Sequence, residues 1–168
     1  MPNLYIITGP SGVGKSTVSK ELAKRSNKSV LIEGDEIYAH VISGYVSAWK
    51  EGNHLDVFWE VCLNMIKTYL YYDYDVIFNY IVTPNIINKI QNEFEKYNAK
   101  LVILLADEET LLKRDSERAA NHQMKERCIT LLNNFKNRNY NKNNVLDSST
   151  LSIDETVTII QKNNKFIL

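Results

Sequence analysis

The sequence predicts a three-layer α/β/α fold: a five-stranded parallel sheet with helices on both faces and a short helical lid. Three observations predict it. Short β-like apolar runs alternate with helical patterns, the order a covered parallel sheet requires. Leu101 to Ala106 is continuously apolar, as expected of a strand buried on both faces. Between the first apolar run and the first helical pattern stands Gly9-Pro10-Ser11-Gly12-Val13-Gly14-Lys15-Ser16, with the spacing G-x-x-x-x-G-K-S.

Taken in order, Leu4 to Ile7 is the first strand, and a helix beginning near Lys15 continues through Thr17 to about Ser26. Val30 to Ile32 is the second strand, followed by a short helix from Glu36 to about Ile42. Leu55, Phe58, Trp59, Cys62, Leu63, Ile66, Tyr69 and Leu70 recur at three- and four-residue spacing, which predicts a helix with one buried stripe. Val76 to Phe78 is the third strand. Thr83-Pro84 opens a helix with a capping hydroxyl and a first-turn proline, and Ile86, Ile87, Ile90 and Phe94 face inward from it. Leu101 to Ala106 is the fourth strand, and Asp107 caps the helix carrying Leu111 and Leu112. After a polar break at Ala120-Asn121-His122, Met124, Cys128, Leu131, Leu132 and Phe135 mark the next helix. Asn137 to Asn144 reads as a solvated loop and Val145-Leu146 as a short fifth strand. Ser152 and Glu155 form a capping box before a last helix whose inner face is Ile153, Val157 and Ile160.

The chain has 168 residues, which fits a single domain, 1–168, with the lid at approximately 114–127. Its 20 basic and 20 acidic residues cancel, so no overall field draws it to nucleic acid or to a membrane surface. Cys62 and Cys128 fall in helical apolar patterns without metal-ligand spacing, and read as reduced core residues. No secretory signal or membrane-spanning run is expected. A cytoplasmic monomer or homodimer is the expectation.

The glycine-rich motif is a phosphate-binding loop, so the fold expected is that of the P-loop NTPases. Its glycines let backbone N–H groups turn toward an anion, and the helix that follows adds its positive end. Lys15 is expected to reach the β- and γ-phosphates, and Ser16 to offer its hydroxyl to Mg²⁺. The nucleotide contacts expected here are Gly9, Ser11, Gly12, Val13, Gly14, Lys15, Ser16 and Thr17.

Ligands of such sheets bind beyond the carboxyl ends of the strands. The second strand ends in Glu33-Gly34-Asp35-Glu36. Asp35, preferred over Glu33 and Glu36, is positioned to take the proton of an attacking hydroxyl or to hold Mg²⁺; its alternative role is to cap the next helix. Arg114 and Arg118 lie four apart on one helical face, and Arg127 follows the polar break. Three guanidinium groups around a break suit a lid, one stacking on a base and the others neutralising a transferring phosphoryl group. The alternative is a solvated face paired with Asp115 and Glu117. Leu101 to Glu108 also imitates the apolar run plus Asp-Glu of motor-type ATPases, although Asp107 is explained as a helix cap.

The phosphate loop, Glu33-Gly34-Asp35, the Arg114/Arg118 pair and Arg127 resemble small P-loop kinases of the adenylate, shikimate and gluconate kinase type. The chain is most similar to bacterial gluconate-kinase-like proteins labelled "AAA ATPase". That resemblance extends to Gly44-Tyr45, Asp75-Val76-Ile77, Tyr80, Glu108 to Asp115, Gln123 to Cys128 and Phe166-Ile167. It implies ATP, Mg²⁺ and phosphoryl transfer to a small-molecule acceptor. It also implies that Arg114 lies by the adenine, Arg118 and Arg127 by the phosphates, and Asp147-Ser148-Ser149 near the base. The catalytic set is then Lys15, Asp35, Arg118 and Arg127, with Ser16 and Asp35 at the metal and Arg114 and Ser148 at the nucleotide. Two departures stand out. The third strand ends in Asn79, where an Asp is expected in these relatives, and Gly44 to Asp56 does not match the gluconate-binding pattern. The alternative reading is a nucleotide-binding protein or ATPase with little transfer activity. Candidates for the acceptor site are Tyr45, Trp49, His54 and Trp59; Trp59 reads better as core and His54 as surface.

Overall fold

The computed structural model describes residues 1–50, 52–120 and 123–168. Asn121 and His122, within the expected lid, and Glu51 lie outside the described residues. The strands are β1 (Asn3–Thr8), β2 (Ser29–Glu33), β3 (Asp75–Asn79), β4 (Asn98–Leu105) and β5 (Val145–Asp147). They form one five-stranded sheet in the order β2-β3-β1-β4-β5, with every pairing parallel. The helices are α1 (Lys15–Lys24), α2 (Gly34–Tyr38), α3 (His54–Tyr71), α4 (Pro84–Glu93), α5 (Glu108–Ser116), α6 (Arg127–Lys136) and α7 (Ile153–Lys162).

Side chains alternate across β1 and so divide the core into two layers. Leu4 and Ile6 join the α3 and α4 side, with Phe58, Cys62, Ile66 and Ile90. Tyr5 and Ile7 join the opposite layer, with Leu22 of α1, Leu132 of α6 and Val157 and Ile160 of α7. Cys62 and Cys128 are free and buried. Trp59 is core, in edge contact with Phe58 and Tyr80.

The predicted α7 capping box is present, Ser152 and Glu155 each accepting from the other's backbone N–H. Four local expectations change. Thr83 stands at the N-cap of α4, but its hydroxyl makes no capping hydrogen bond. Ile153 does not face inward: it is 46% exposed, and Thr156 takes the buried place. The segment 137–144 is not wholly solvated, because Asn144 is buried and its amide Nδ2 donates to the carbonyls of Leu101 and Phe166. The helix expected to run to Ile42 ends at Tyr38. β4 begins before Leu101, and Lys100 within it is buried as well. Its ammonium donates to the carbonyls of Ile160 (3.1 Å) and Gln161 (2.7 Å), in the last turn of α7, where backbone carbonyls lack partners. Among the described residues no helix is long and apolar enough to cross a membrane.

Candidate active site

The strand order places β1 between β3 and β4: the chain passes from β1 to β2 and β3 on one side, then crosses to β4 and β5 on the other, which opens a crevice at the carboxyl end of β1. The phosphate loop fills that crevice. Gly9, at φ +148°, enters the loop in a backbone region that L side chains rarely adopt, and a Cβ there would lie 2.3 Å from the Leu104 carbonyl oxygen. Only glycine lets the loop leave β1 so close to β4.

A cleft of about 440 Å³ lies over the loop. Ser11 to Thr17 line it, together with Asp35, Asn79, Arg114, Arg118 and Ser148. Gly9 and Arg127 are not among its lining residues; Gly9 lies beneath, packed on β4. Lys15 is half-buried and its ammonium donates to the Pro10 carbonyl at 3.0 Å. Burial pushes its pKa down to about 8, against the opposing pull of Asp35.

Parallel register sets Glu33 of β2 directly beside Asn79 of β3. Both reach Ser16. Asn79 Nδ2 donates to Ser16 Oγ at 3.0 Å, and Ser16 Oγ donates to Glu33 Oε2 at 3.3 Å. Glu33 Oε1 and Asn79 Oδ1 are buried without hydrogen-bond partners. Lys20 Nζ stands 3.7 Å from Glu33 Oε1. Two orphaned oxygens around an alcohol are the donors a hard divalent cation takes, and they fit Mg²⁺. Glu33 is the carboxylate that the sequence reading ranked low. The usable signal is its place as the last residue of β2, in register with Asn79 of β3, which in turn pairs with Ile7 just before the loop.

Asp35 is the second residue of α2, behind the N-cap Glu33, so it does not cap that helix. Its carboxylate has no hydrogen-bond partner among the described residues and is exposed to the cleft. Gly34 before it is needed for packing: a Cβ there would lie 2.6 Å from the Tyr80 ring. Tyr80 thereby holds the start of α2 against β3.

The two arginines of α5 and its end reach the loop from the other side. Arg114 Nη1 donates to the Val13 carbonyl and to Ser148 Oγ, both at 3.1 Å, and Nη2 donates to the Ser148 carbonyl at 2.8 Å. It joins the phosphate loop to the segment after β5. Arg118 Nη1 donates to Ser11 Oγ at 3.3 Å. Arg127, expected by the phosphates, lies instead over the Trp49 ring, 5.6 Å from its centroid. Asp115 is not a surface ion-pair partner. It is 2% exposed and accepts from the backbone N–H groups of Met124 and Lys125, each at 2.8 Å, and from Arg118. Burial works against its charge, but those N–H groups outweigh it and hold the carboxyl below the usual range. Asp115 thus ties the start of α6 to α5.

Asp107 caps α5, accepting from Thr110 N at 2.7 Å, and does not line the cleft. The acidic pair after β4 therefore does not stand where a motor-type ATPase needs it. Leu151 and the half-exposed Ile153 line the cleft near Ser148 and give it an apolar flank. Sequence periodicity assigned Ile153 to the core, so this flank was missed.

The family model described as an AAA domain matches residues 4–134. A gluconokinase from Sinorhizobium meliloti 1021 superposes with a TM-score of 0.66 at 18% identity, over 94% of this chain and 88% of that one. A sugar kinase from Janibacter sp. HTCC2649 gives 0.65 at 12% identity, over 94% and 91%. The tunicamycin resistance protein of Deinococcus radiodurans gives 0.64 at 15% identity, over 95% and 94%. No curated protein matches the chain. The fold is that of small P-loop kinase-like proteins.

Proposed function

The chain belongs to the AAA domain family, and on that premise we propose that it is a Mg-ATP-dependent phosphotransferase acting on a hydroxyl of a small acceptor. The observation that carries this reading is the free Asp35 carboxylate in the same cleft as Lys15, Arg118 and the phosphate loop, while Asp107 is spent on a helix cap. The similar structures named as a gluconokinase and a sugar kinase support it.

In this reading, loop N–H groups and Lys15 hold the β- and γ-phosphates. Arg114, Ser148 and the Leu151–Ile153 flank take the base. Ser16, Glu33 and Asn79 hold Mg²⁺, with Asp35 near enough in sequence to share that duty through water. When bound, Mg²⁺ neutralises the charge of the phosphate oxygens. The acceptor's oxygen bonds the γ-phosphorus, the bond from that phosphorus to the ADP oxygen breaks, and the hydroxyl proton passes to Asp35. Arg118 offsets charge that builds on the transferring group.

The test is ADP release across a library of hydroxyl compounds. Release stimulated by one acceptor supports the kinase. Constant release supports an ATPase, and none supports a nucleotide-binding protein.

Residues 114–127 act here as the lid. Closure would exclude water and bring in Arg127 from its place on Trp49. Hydrogen exchange should show added protection at 123–127 with an ATP analogue plus acceptor. Asp115→Ala, which takes the carboxylate acceptor from the N–H groups of Met124 and Lys125, should speed exchange there, lowering the opening free energy by about 1–3 kcal/mol. Protection of the phosphate loop with none at 123–127 sinks the lid.

A further inference from the structure

α3, of 18 residues, is buried along one stripe and open along the other. Phe58, Cys62, Ile66 and Leu70 face the core, while Val57, Val61, Asn64, Thr68 and Tyr71 are exposed. The exposed five follow one another at spacings of four and three, the repeat of a helix seam that packs on another helix. Val57 is 58% exposed, Val61 43% and Tyr71 76%. Solitary exposed apolar residues are ordinary, but a stripe of them along one helix marks a contact surface. The Thr68 hydroxyl donates to the Asn64 carbonyl at 2.8 Å, and the Asn64 side-chain amide has no hydrogen-bond partner among the described residues. None of these five residues lines the phosphate cleft.

Charges flank the stripe in an order that selects a partner. Asp56 and Glu60 stand on its amino-terminal half and Lys67 on its carboxyl-terminal half, all exposed. Lys96, beyond the end of α4, lines a shallow cavity of about 410 Å³ beside Lys67, Thr68 and Tyr71. Glu93, the acid in that wall, is paired with Lys67. Glu60 has no ion-pair partner within its own chain among the described residues. Glu60 and Lys67 are seven positions apart, about two helical turns or ~10 Å along one face. A copy of α3 laid antiparallel across the stripe, with a twofold axis between residues 63 and 64, puts each Glu60 opposite Lys67 of the partner subunit. It also carries the acidic half of each stripe toward Lys96 on the other. A parallel copy would set Glu60 on Glu60 and Lys67 on Lys67, and like charges repel. Lys67 remains half-exposed beside Glu93, and its ammonium has three donors, enough for a second carboxylate.

We infer that α3 pairs with α3 of a second copy of this chain, forming an antiparallel twofold homodimer. Val57 seats between Thr68 and Tyr71 of the partner subunit, and Val61 between Asn64 and Thr68 of the partner subunit. The two Asn64 amides meet beside the axis, donor to acceptor, where a polar pair fixes the register of a helix seam. Tyr71 supplies the large aromatic contact at each end. One helix from each subunit makes a small interface, so the dimer should dissociate at about micromolar concentration. The seam leaves the phosphate cleft of each subunit open.

The experiment is sedimentation equilibrium of the full chain from about 1 μM to about 500 μM. The wild type should pass from monomer to dimer across that range, and a monomer throughout overturns the proposal. Val61→Glu puts a charge inside the seam and should weaken the dimer by about 100-fold or more. A dimer that this variant leaves intact lies elsewhere on the surface and overturns the proposal as well. Glu60→Lys and Lys67→Glu should each weaken self-association by about tenfold, since each turns two attractive contacts into repulsive ones. Mixed in equal amounts, these two variants should pair with each other at near wild-type strength, because every contact across the seam again joins opposite charges. A mixture that does not recover overturns the antiparallel pairing. Lys67→Glu also loses its bond to Glu93, so thermal melts check its fold. If it does not fold, Asn64→Cys takes its place. That position, beside the axis, should cross-link two copies through a short bis-maleimide, the native Cys62 and Cys128 being buried. Absence of the cross-linked dimer overturns the pairing.

Discussion

Lys15→Ala is expected to keep the fold and lose productive triphosphate binding. The two halves of that statement have separate causes. Lys15 bonds to Pro10 alone among the described residues, so its removal breaks one hydrogen bond of the free protein. Its ammonium is held at a pKa of about 8, below its ordinary 10.5, so folding disfavours the charge that the substrate needs. The sign follows from that direction. The folded state prefers the neutral amine, so the penalty is fully present below about pH 8 and fades as pH rises toward 10.5. Wild-type stability should therefore climb across that window, and the Ala variant should lack that climb. A bound triphosphate supplies the missing counter-charge. Losing that charge-assisted contact should weaken binding by about 10–150-fold and lower turnover by about 10²–10³. Calorimetry with Mg²⁺ and a non-hydrolysable ATP analogue, with thermal melts across pH, checks both halves. Unchanged affinity and turnover would falsify the role of Lys15.

The sheet and the loop were legible in the sequence because both are governed by local rules. Apolar runs of strand length, helical spacing and the G-x-x-x-x-G-K-S motif each carry their meaning within a few residues. The α7 capping box and the Asp107 cap were legible for the same reason. What escaped depends on partners distant in the chain. Glu33 becomes part of the cation site only through its register with Asn79, 46 positions on, and the contact of both with Ser16. Asp115 looked like a surface acid because its partners, the N–H groups of Met124 and Lys125, are main-chain groups invisible to composition. Ile153 obeyed the helical period, yet the cleft cuts into that face of α7 and leaves it open. His54 read as a surface residue until α2 and the segment 40–46 closed around it.

Asp35 and Asn79 carry the second large effect, and they answer different questions. Asp35 is an unbonded carboxylate at the start of α2, where it can orient a hydroxyl and receive its proton. Asp35→Asn keeps the shape and removes the base, so turnover should fall by about 10²–10⁴ with ATP affinity nearly unchanged. Because Asp35 does not cap α2, the variant's melting temperature should match the wild type. Full activity in the variant would leave Asp35 without a catalytic role. Asn79 is the residue that stands where an acid is expected. It donates to Ser16 while its own Oδ1 is left buried and unpaired. Asn79→Asp trades that donor for a second carboxylate beside Glu33. Two adjacent carboxylates repel, and a divalent cation between them removes the repulsion. The variant should therefore keep or raise turnover and reach half-maximal activity at lower Mg²⁺. A Mg²⁺ titration of the initial rate, at saturating ATP, separates the outcomes. If Asn79→Asp abolishes activity at every Mg²⁺ concentration, the amide's hydrogen bond to Ser16 is what the site needs, and Glu33 alone supplies its charge.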